Sequence, residues 1–186
     1  GYLLAAAIAD RFDEAKAELD QLSISLTHYL VPETLATVED VAARIASAGH
    51  LFVLGRSAHF GSALVGALNI KEASYIHAEA FSAGELKHGV IALIEPGVPV
   101  LVFRAAGDDY MLNVASEVRA RGAFVIGLSG EANPLFDARL PMPPTVGDAD
   151  IISSIIPCQL LAYALGVRRG VNPDKPRNLA KSVTVQ

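Results

Sequence analysis

Three short runs of consecutive apolar residues lie in the middle of the chain. They are Leu51–Leu54, Val98–Phe103 and Ala123–Leu128, and all three are rich in β-branched residues. Such runs are typical of strands covered on both faces, as the strands of a parallel sheet are. A weaker run near Arg139–Met142 predicts a further strand.

The segments between and before these runs have helical spacing. After Pro32, a helix capped by Thr34 or Thr37 is predicted, with apolar residues recurring through Ile45 and an end at Gly49. A second helix is predicted to begin with Asp108 or Asp109 as its N-cap and to close at Gly122. Strands that alternate with helices indicate an α/β fold with right-handed crossovers.

The segment Ser153–Val167 is apolar on nearly every side. This pattern predicts a helix that is deeply covered or lies in a subunit interface, and we therefore expect self-association. The chain divides into a helical segment at 1–48, an α/β domain at 49–168 and a C-terminal tail at 169–186.

Composition narrows the possible partners. Hydrophobic residues make up 52% of the chain and charged residues 19%, with a formal net charge of -5 and no cluster of Lys and Arg. We therefore expect no nucleic-acid partner, which would need a basic surface. No apolar stretch approaches the roughly 18 residues that a membrane span needs, so no membrane association is predicted.

The single cysteine and the first residues bear on the compartment. Cys158 alone cannot form an internal disulfide framework or a Cys-rich zinc site, which favours a reducing compartment and hence the cytoplasm. The chain begins with Gly1 and has no basic region before its first apolar run, so we interpret the start as truncated or processed and predict no signal peptide.

Three predicted loops follow strands, where open parallel sheets bind ligands, and the one at Ser129-Gly130-Glu131 is given no function. Gly55-Arg56-Ser57 can offer backbone N–H groups to an anion, although it is equally compatible with a tight strand-to-helix connection. The second loop ends in Asp108 and Asp109, which suit helix capping and would repel a phosphate.

Ionisable residues are concentrated in the segment 71–89, KEASYIHAEAFSAGELKHG, within a chain that has few charges elsewhere. A solvated helix face accounts for single charges such as Lys71, Glu79 and Lys87. His77-Ala78-Glu79 resembles the H-x-E of zinc deaminases, but no second cysteine follows Cys158, so no metal is expected. A carboxylate and a histidine in one pocket instead suit proton transfer on a carbon acid or a sugar ring.

The tail combines few apolar residues with Arg177, Asn178, Lys181 and Ser182 in close order. By composition it is a frayed end. A lysine that closes over a pocket could also form a Schiff base with a carbonyl.

Four strings carry a resemblance to a known family: the segment 71–89, KPRNLAKSVTVQ, LFVLGRS and PCQLLAY. They resemble the second sugar-isomerase (SIS) domain of the glucosamine-6-phosphate synthases, from about His50 to Gln186. The N-terminal helices resemble the end of a preceding SIS domain and the linker. The resemblance implies a three-layer sandwich with a five-stranded parallel sheet, a first SIS domain upstream, and a homodimer or larger oligomer.

Site residues follow from the same resemblance. It implies that Glu72 moves a proton between C1 and C2 of a sugar phosphate, and that His88 assists ring opening in a neighbouring subunit's pocket. Lys181 would form the Schiff base with the open ketose. Implied substrate-binding residues are Ala180, Gly55, Arg56, Ser57 and Asn69. No cofactor is implied.

Three positions depart from the family pattern. Asn69 stands where the family has a second lysine, Ser57 replaces a glycine, and Val90 replaces a proline. Without a cation at Asn69, the carboxylate of Glu72 would be less stabilised.

Three functions stay open. The chain is expected to be the isomerase half of a synthase that converts fructose 6-phosphate to glucosamine 6-phosphate. The first alternative is an ammonia-dependent amino-sugar-phosphate deaminase without a glutaminase. The second is a non-catalytic module that senses a phosphosugar. The sequence does not decide between hexose phosphates.

Overall fold

A sheet of five parallel strands forms the centre of the computed structural model, which describes residues 1–145 and 147–179. The strands are β1 (His50–Gly55), β2 (His77–Ser82), β3 (Pro99–Phe103), β4 (Phe124–Ser129) and β5 (Ala138–Pro141). Their order across the sheet is β2-β1-β3-β4-β5. The expected α/β fold with a five-stranded parallel sheet is confirmed.

Helices cover both faces of the sheet. They are α1 (Tyr2–Ile8), α2 (Phe12–Tyr29), α3 (Pro32–Ile45), α4 (Ala58–Ser74), α5 (Asp109–Arg119), α6 (Asp150–Ser153) and α7 (Ile156–Arg168). Short 3₁₀ turns span Glu85–His88, Val90–Leu93 and Gly147–Ala149.

The pleat of the strands divides the core into two halves. Leu51 and Val53 of β1 point to a cluster that also contains the buried faces of α3, α4 and α7. Phe52 and Leu54 point to the other cluster, with α5 and Leu86. Since every second residue of a strand faces the same side, an uninterrupted apolar run supplies both layers at once.

Boundaries differ from the sequence-based expectations at the helix α3. The cap predicted at Thr34 or Thr37 is wrong, because α3 already begins at Pro32, a residue that the first helical turn tolerates. It also ends at Ile45, before Gly49. At α5, the expected N-cap Asp108 is confirmed, since its side chain accepts a hydrogen bond from the Met111 amide at 3.3 Å.

The predicted helix Ser153–Val167 is divided into α6 and α7. Proline has no backbone N–H and cannot donate the hydrogen bond that the interior of a helix requires. The helix α7 therefore starts at Ile156, which places Pro157 in its first turn. The segment Gly147–Arg168 is long and apolar enough to cross a membrane by length and composition alone. Half of its most apolar window is buried inside the fold, as is usual for a core helix.

Candidate functional site

Asn69 and Glu72 line one cavity near the C-terminal end of α4. The cavity measures about 260 Å³ and lies between α4, α7 and the chain that follows α7. Its other lining residues are Ala73, Gln159, Ala162, Tyr163, Pro173 and Pro176. Asn69 and Glu72 share this wall because residues three apart lie one helical turn from each other.

The Glu72 side chain is half-buried. Among the described residues it forms neither a salt bridge nor a side-chain hydrogen bond, and the adjacent Lys71 is exposed. Asn69, the neighbour one turn earlier, contributes an amide and no charge. With no ion-pair partner in the part of the chain that the structure describes, this carboxylate can serve as a proton acceptor in the cavity.

Two close contacts between α4 and α7 hold this wall in place. A Cβ added at Gly66 would lie 2.8 Å from the sulfur of Cys158, and one added at Gly166 would lie 2.4 Å from the carbonyl oxygen of Ala73. The two helices therefore approach each other closely at these glycines, which have no side chains. Burial raises the pKa of the Cys158 thiol to about 12, so this cysteine acts as a core residue.

The beginning of the tail is fastened beside Glu72. The Arg177 amide donates to the Tyr75 hydroxyl at 2.7 Å, and the Arg177 guanidinium lies 4.1 Å from the centre of the Tyr75 ring. Arg177 and Leu179 line a second depression together with Glu72. Sequence reasoning missed Tyr75, which ends α4 in a left-handed conformation at φ 60.

Two of the expected site residues cannot be compared with this geometry. Ala180 and Lys181 lie outside the described residues. The last described residue before them, Leu179, already shares a depression with Glu72.

The loop Gly55-Arg56-Ser57 lies at the other end of α4. Fifteen helical steps separate Ser57 from Glu72, a distance of about 22 Å at the usual rise. The Arg56 guanidinium is 3.4 Å from the Asp108 carboxylate and 4.7 Å from the centre of the Tyr110 ring. Within one chain, this loop and Glu72 therefore do not face the same cavity, and an ion pair joins the loops that follow β1 and β3.

His88 also lies far from Glu72. It is exposed and ends the 3₁₀ turn after β2, whereas Glu72 precedes that strand. Glu72 lies near the amino end of β2 and His88 beyond its carboxyl end. The six residues of β2 span about 20 Å between these two ends. The turn also packs on the opposite face of the sheet, because its Leu86 belongs to the core cluster of α5. The fold does not bring His88 and Glu72 together within one chain.

A larger cavity of about 490 Å³ opens at the carboxyl ends of β3, β4 and β5. Its lining includes Glu131 of the loop after β4, for which the sequence indicated no function. Arg104 follows β3 and Glu131 follows β4, and the two side chains are 2.6 Å apart. Asp150, on the same cavity, lies 2.9 Å from Nε2 of His59. The sequence feature that could have indicated this cavity is Arg104, a charged residue directly after the apolar strand β3.

Metal-ligating side chains do not cluster in the part of the chain that the structure describes. Within residues 1–145 and 147–179, no group of three or more His, Cys, Asp and Glu side chains is arranged to hold a metal ion. His77 and Glu79 are both exposed on the edge strand β2.

Comparisons with known proteins agree with this architecture. The family description "SIS domain" matches residues 44–165. The chain is 44% identical to a glutamine–fructose-6-phosphate aminotransferase (isomerizing) of Pyrococcus horikoshii over 80% of its length, and 42% identical to that of Pyrobaculum aerophilum over 96%. It spans 26% and 30% of those relatives.

Solved structures give the same result. The C-terminal domain of a glucosamine-fructose-6-phosphate aminotransferase from Francisella tularensis is 29% identical, with a TM-score of 0.73 over 90% of this chain and 47% of that one. A glucosamine-6-phosphate deaminase from Thermotoga maritima is also 29% identical, with a TM-score of 0.67 over 97% of this chain and 52% of that one.

Proposed function

The chain belongs to the SIS domain family, and from this premise we propose that it supplies the acid/base half of a sugar-phosphate isomerase site. The proposed reaction belongs to amino-sugar metabolism and converts fructose 6-phosphate to glucosamine 6-phosphate, as the names of the relatives suggest. The observation that carries the proposal is the half-buried Glu72 carboxylate, which lines one cavity beside α7 and shares a second depression with the beginning of the tail.

In this proposal Lys181 and Glu72 act in sequence. The Lys181 amine attacks the C2 carbonyl of the open ketose and water leaves, which gives an iminium that acidifies C1. Ammonia then adds to C2 and the Lys181 amine leaves, which gives the ketimine whose nitrogen becomes the amino group of glucosamine 6-phosphate. Glu72 takes a proton from C1 of this ketimine and returns it to C2. The Tyr75–Arg177 contact supports the joint action of these two residues, because it holds the tail beside Glu72 at a position four residues before Lys181.

We assign His88 to ring opening in the pocket of a neighbouring subunit. Its position at the opposite sheet edge from Glu72 supports a site completed by a second copy. Exposed apolar side chains on α4 and α7, at Leu64, Leu68 and Tyr163, favour a homodimer or larger assembly.

An upstream SIS domain is a further part of the proposal. It is supported by the lengths of the similar solved structures, of which this chain spans about half. That domain would hold the phosphate group, and Ala180 and Asn69 would contact the sugar from this chain. We place the protein in the cytoplasm, in keeping with its single buried cysteine, Cys158.

Similarity to a solved deaminase favours a second candidate function, an amino-sugar-phosphate deaminase that uses the same two SIS domains. Asn69 counts against full synthase activity, because an amide in place of a lysine leaves Glu72 without the cation that the synthase pattern supplies. The similarity to the Thermotoga maritima deaminase extends over 97% of this chain. A cysteine-first glutaminase domain in the full-length protein would exclude this alternative.

Borohydride trapping of the substrate tests the proposal in protein that contains this chain and its upstream SIS domain. Incubation with fructose 6-phosphate and borohydride should add the reduced sugar phosphate to the peptide that contains Lys181. Lys181→Ala should abolish trapping, whereas Lys175→Ala, an exposed lysine of the same tail, should leave it unchanged. Unchanged trapping in Lys181→Ala would refute the Schiff-base assignment.

A further inference from the structure

The cavity at the carboxyl ends of β3, β4 and β5 takes no part in the site around Glu72, which lies at the other edge of the sheet. Open parallel sheets bind ligands at this carboxyl edge. The volume of about 490 Å³ falls within the range of small-molecule pockets. We propose that this cavity binds the phosphate or carboxylate group of a small hydroxylated molecule through Arg104, in exchange for Glu131.

The first argument is the unequal burial of the ion pair. The Arg104 side chain is 8% exposed, whereas that of Glu131 is 66% exposed, although their charged atoms are 2.6 Å apart. A buried guanidinium requires an anion beside it, because an uncompensated buried charge is strongly destabilising. An exposed carboxylate is solvated by water when it leaves. Glu131 is thus a counter-ion that a ligand anion can replace.

The second argument is the geometry of the guanidinium group. Glu131 engages Nη1 of Arg104, and the buried Nε has no hydrogen-bond partner among the described residues. Phosphate and carboxylate groups offer two oxygens that match two parallel N–H donors of one arginine. A ligand oxyanion that takes the place of Glu131 and draws the side chain toward the cavity would satisfy Nε as well.

The remaining walls suit a hydroxylated ligand. Thr145 presents a hydroxyl group and Asp150 a carboxylate, while Met142, Pro143 and Pro144 form apolar surfaces. The Asp150 carboxylate lies 2.9 Å from Nε2 of His59 and accepts a hydrogen bond from Thr145 at 3.0 Å.

The acidic residues around the cavity do not prevent anion binding. Asp150 and Glu131 are the two carboxylates on its wall. Arg104 forms an ion pair with Glu131, and Thr145 donates a hydrogen bond to Asp150. Asp108, on the neighbouring loop, is occupied by Arg56. After Glu131 moves into solvent, Arg104 is the positive charge that faces the ligand.

Inorganic phosphate titrated into the 186-residue chain is the first probe, with chloride at equal ionic strength as the reference. The Nε–Hε NMR signal of Arg104 should shift in a saturable manner with phosphate and not with chloride. Arg104→Met should weaken phosphate binding by about tenfold or more, since it removes a charge-assisted pair. Arg121→Met, an exposed arginine elsewhere, should have no effect.

The opposite change tests the displacement of Glu131. Glu131→Gln removes the competing carboxylate at an exposed position and should tighten phosphate binding several-fold. This variant needs no change in the buried core, so it stays informative if Arg104→Met fails to fold. An unmoved Arg104 signal, or unchanged or weaker phosphate binding in Glu131→Gln, would overturn the proposal.

A sugar phosphate tests the hydroxyl contacts. Glucose 6-phosphate should bind more tightly than inorganic phosphate, and Thr145→Val should reduce this difference without changing the affinity for inorganic phosphate. Equal affinities of the two probes in the unmodified chain would contradict the role given to Thr145 and Asp150.

Discussion

Ser57 has a backbone conformation that non-glycine residues rarely adopt, with φ 52 and ψ -128. It follows Gly55, where a Cβ would lie 2.3 Å from the carbonyl oxygen of His59. The turn between β1 and α4 thus demands one glycine for close approach and favours a second for its dihedral angles. The serine stores strain at the very position where the family pattern has glycine.

We expect Ser57→Gly to raise the free energy of unfolding by about 1 kcal/mol, because glycine adopts positive φ without steric cost. Gly55→Ala is the matched control and should lower it, since the added Cβ meets backbone. Urea denaturation of the three proteins measures both effects. A Ser57→Gly protein less stable than the original would show that the turn is not strained.

Among the elements, the strands covered on both faces were predictable and the edge strand was not. β1, β3 and β4 contain continuous apolar runs with β-branched residues, which fit strands buried on both faces of a parallel sheet. β2 begins with alternating polar and apolar residues, because Ala78 faces one core cluster whereas His77 and Glu79 are exposed at the edge of the sheet. The sequence HAEAFS therefore has the pattern of a charged segment and does not by itself predict a strand.

The candidate site was predictable only in part, for a similar reason. Specific strings around Glu72, His88 and Lys181 identified the residues through their resemblance to a family. Nothing in the spacing of those residues gives their distances, which depend on where α4 and β2 lie in the sheet. Arg104 and Glu131 come close because β3 and β4 are neighbours, although 27 positions separate them along the chain.

The contact between His59 of α4 and Asp150 of α6 ties two helices together. The His59 ring nitrogen, 2.9 Å from the carboxylate, holds the pKa of Asp150 below its ordinary value. Asp150 releases its proton more readily in the folded state, so its contribution to stability is present above the unfolded-state pKa and is lost as the pH falls through the folded-state value.

Asp150→Asn should therefore lower the free energy of unfolding at about pH 6, and this deficit should shrink toward about pH 3. Urea denaturation across this range measures the difference between the two proteins. Asp148→Asn, on the exposed turn before α6, is a control with a smaller expected effect. A deficit that stays constant with pH would mean that the Asp150 charge does not stabilise the fold.

At the scale of the whole molecule, the separation of Glu72 and His88 decides how a site can be assembled. Glu72 and His88 lie at opposite ends of the parallel strands and on opposite faces of the sheet. One subunit therefore cannot bring both side chains to one sugar. If two subunits share each site, two inactive variants should complement each other.

Mixed dimers of Glu72→Gln and His88→Ala contain one site with both intact residues. Random exchange of subunits makes half of the dimers mixed, so about a quarter of the full activity should return. The activity of each variant alone and of the mixture after subunit exchange measures this. A mixture no more active than its components would place His88 outside the partner's site.

The exchange of the C1 proton with solvent deuterium tests the central claim, that Glu72 transfers this proton. The measurement uses Glu72→Gln protein with its upstream SIS domain, and calorimetric binding of the sugar phosphate serves as the control. The amide keeps the shape of the carboxylate but cannot take a proton. We predict that deuterium incorporation falls at least about a hundredfold while binding stays largely intact. Incorporation at the rate of the unmodified protein would contradict the assignment of Glu72 as the base.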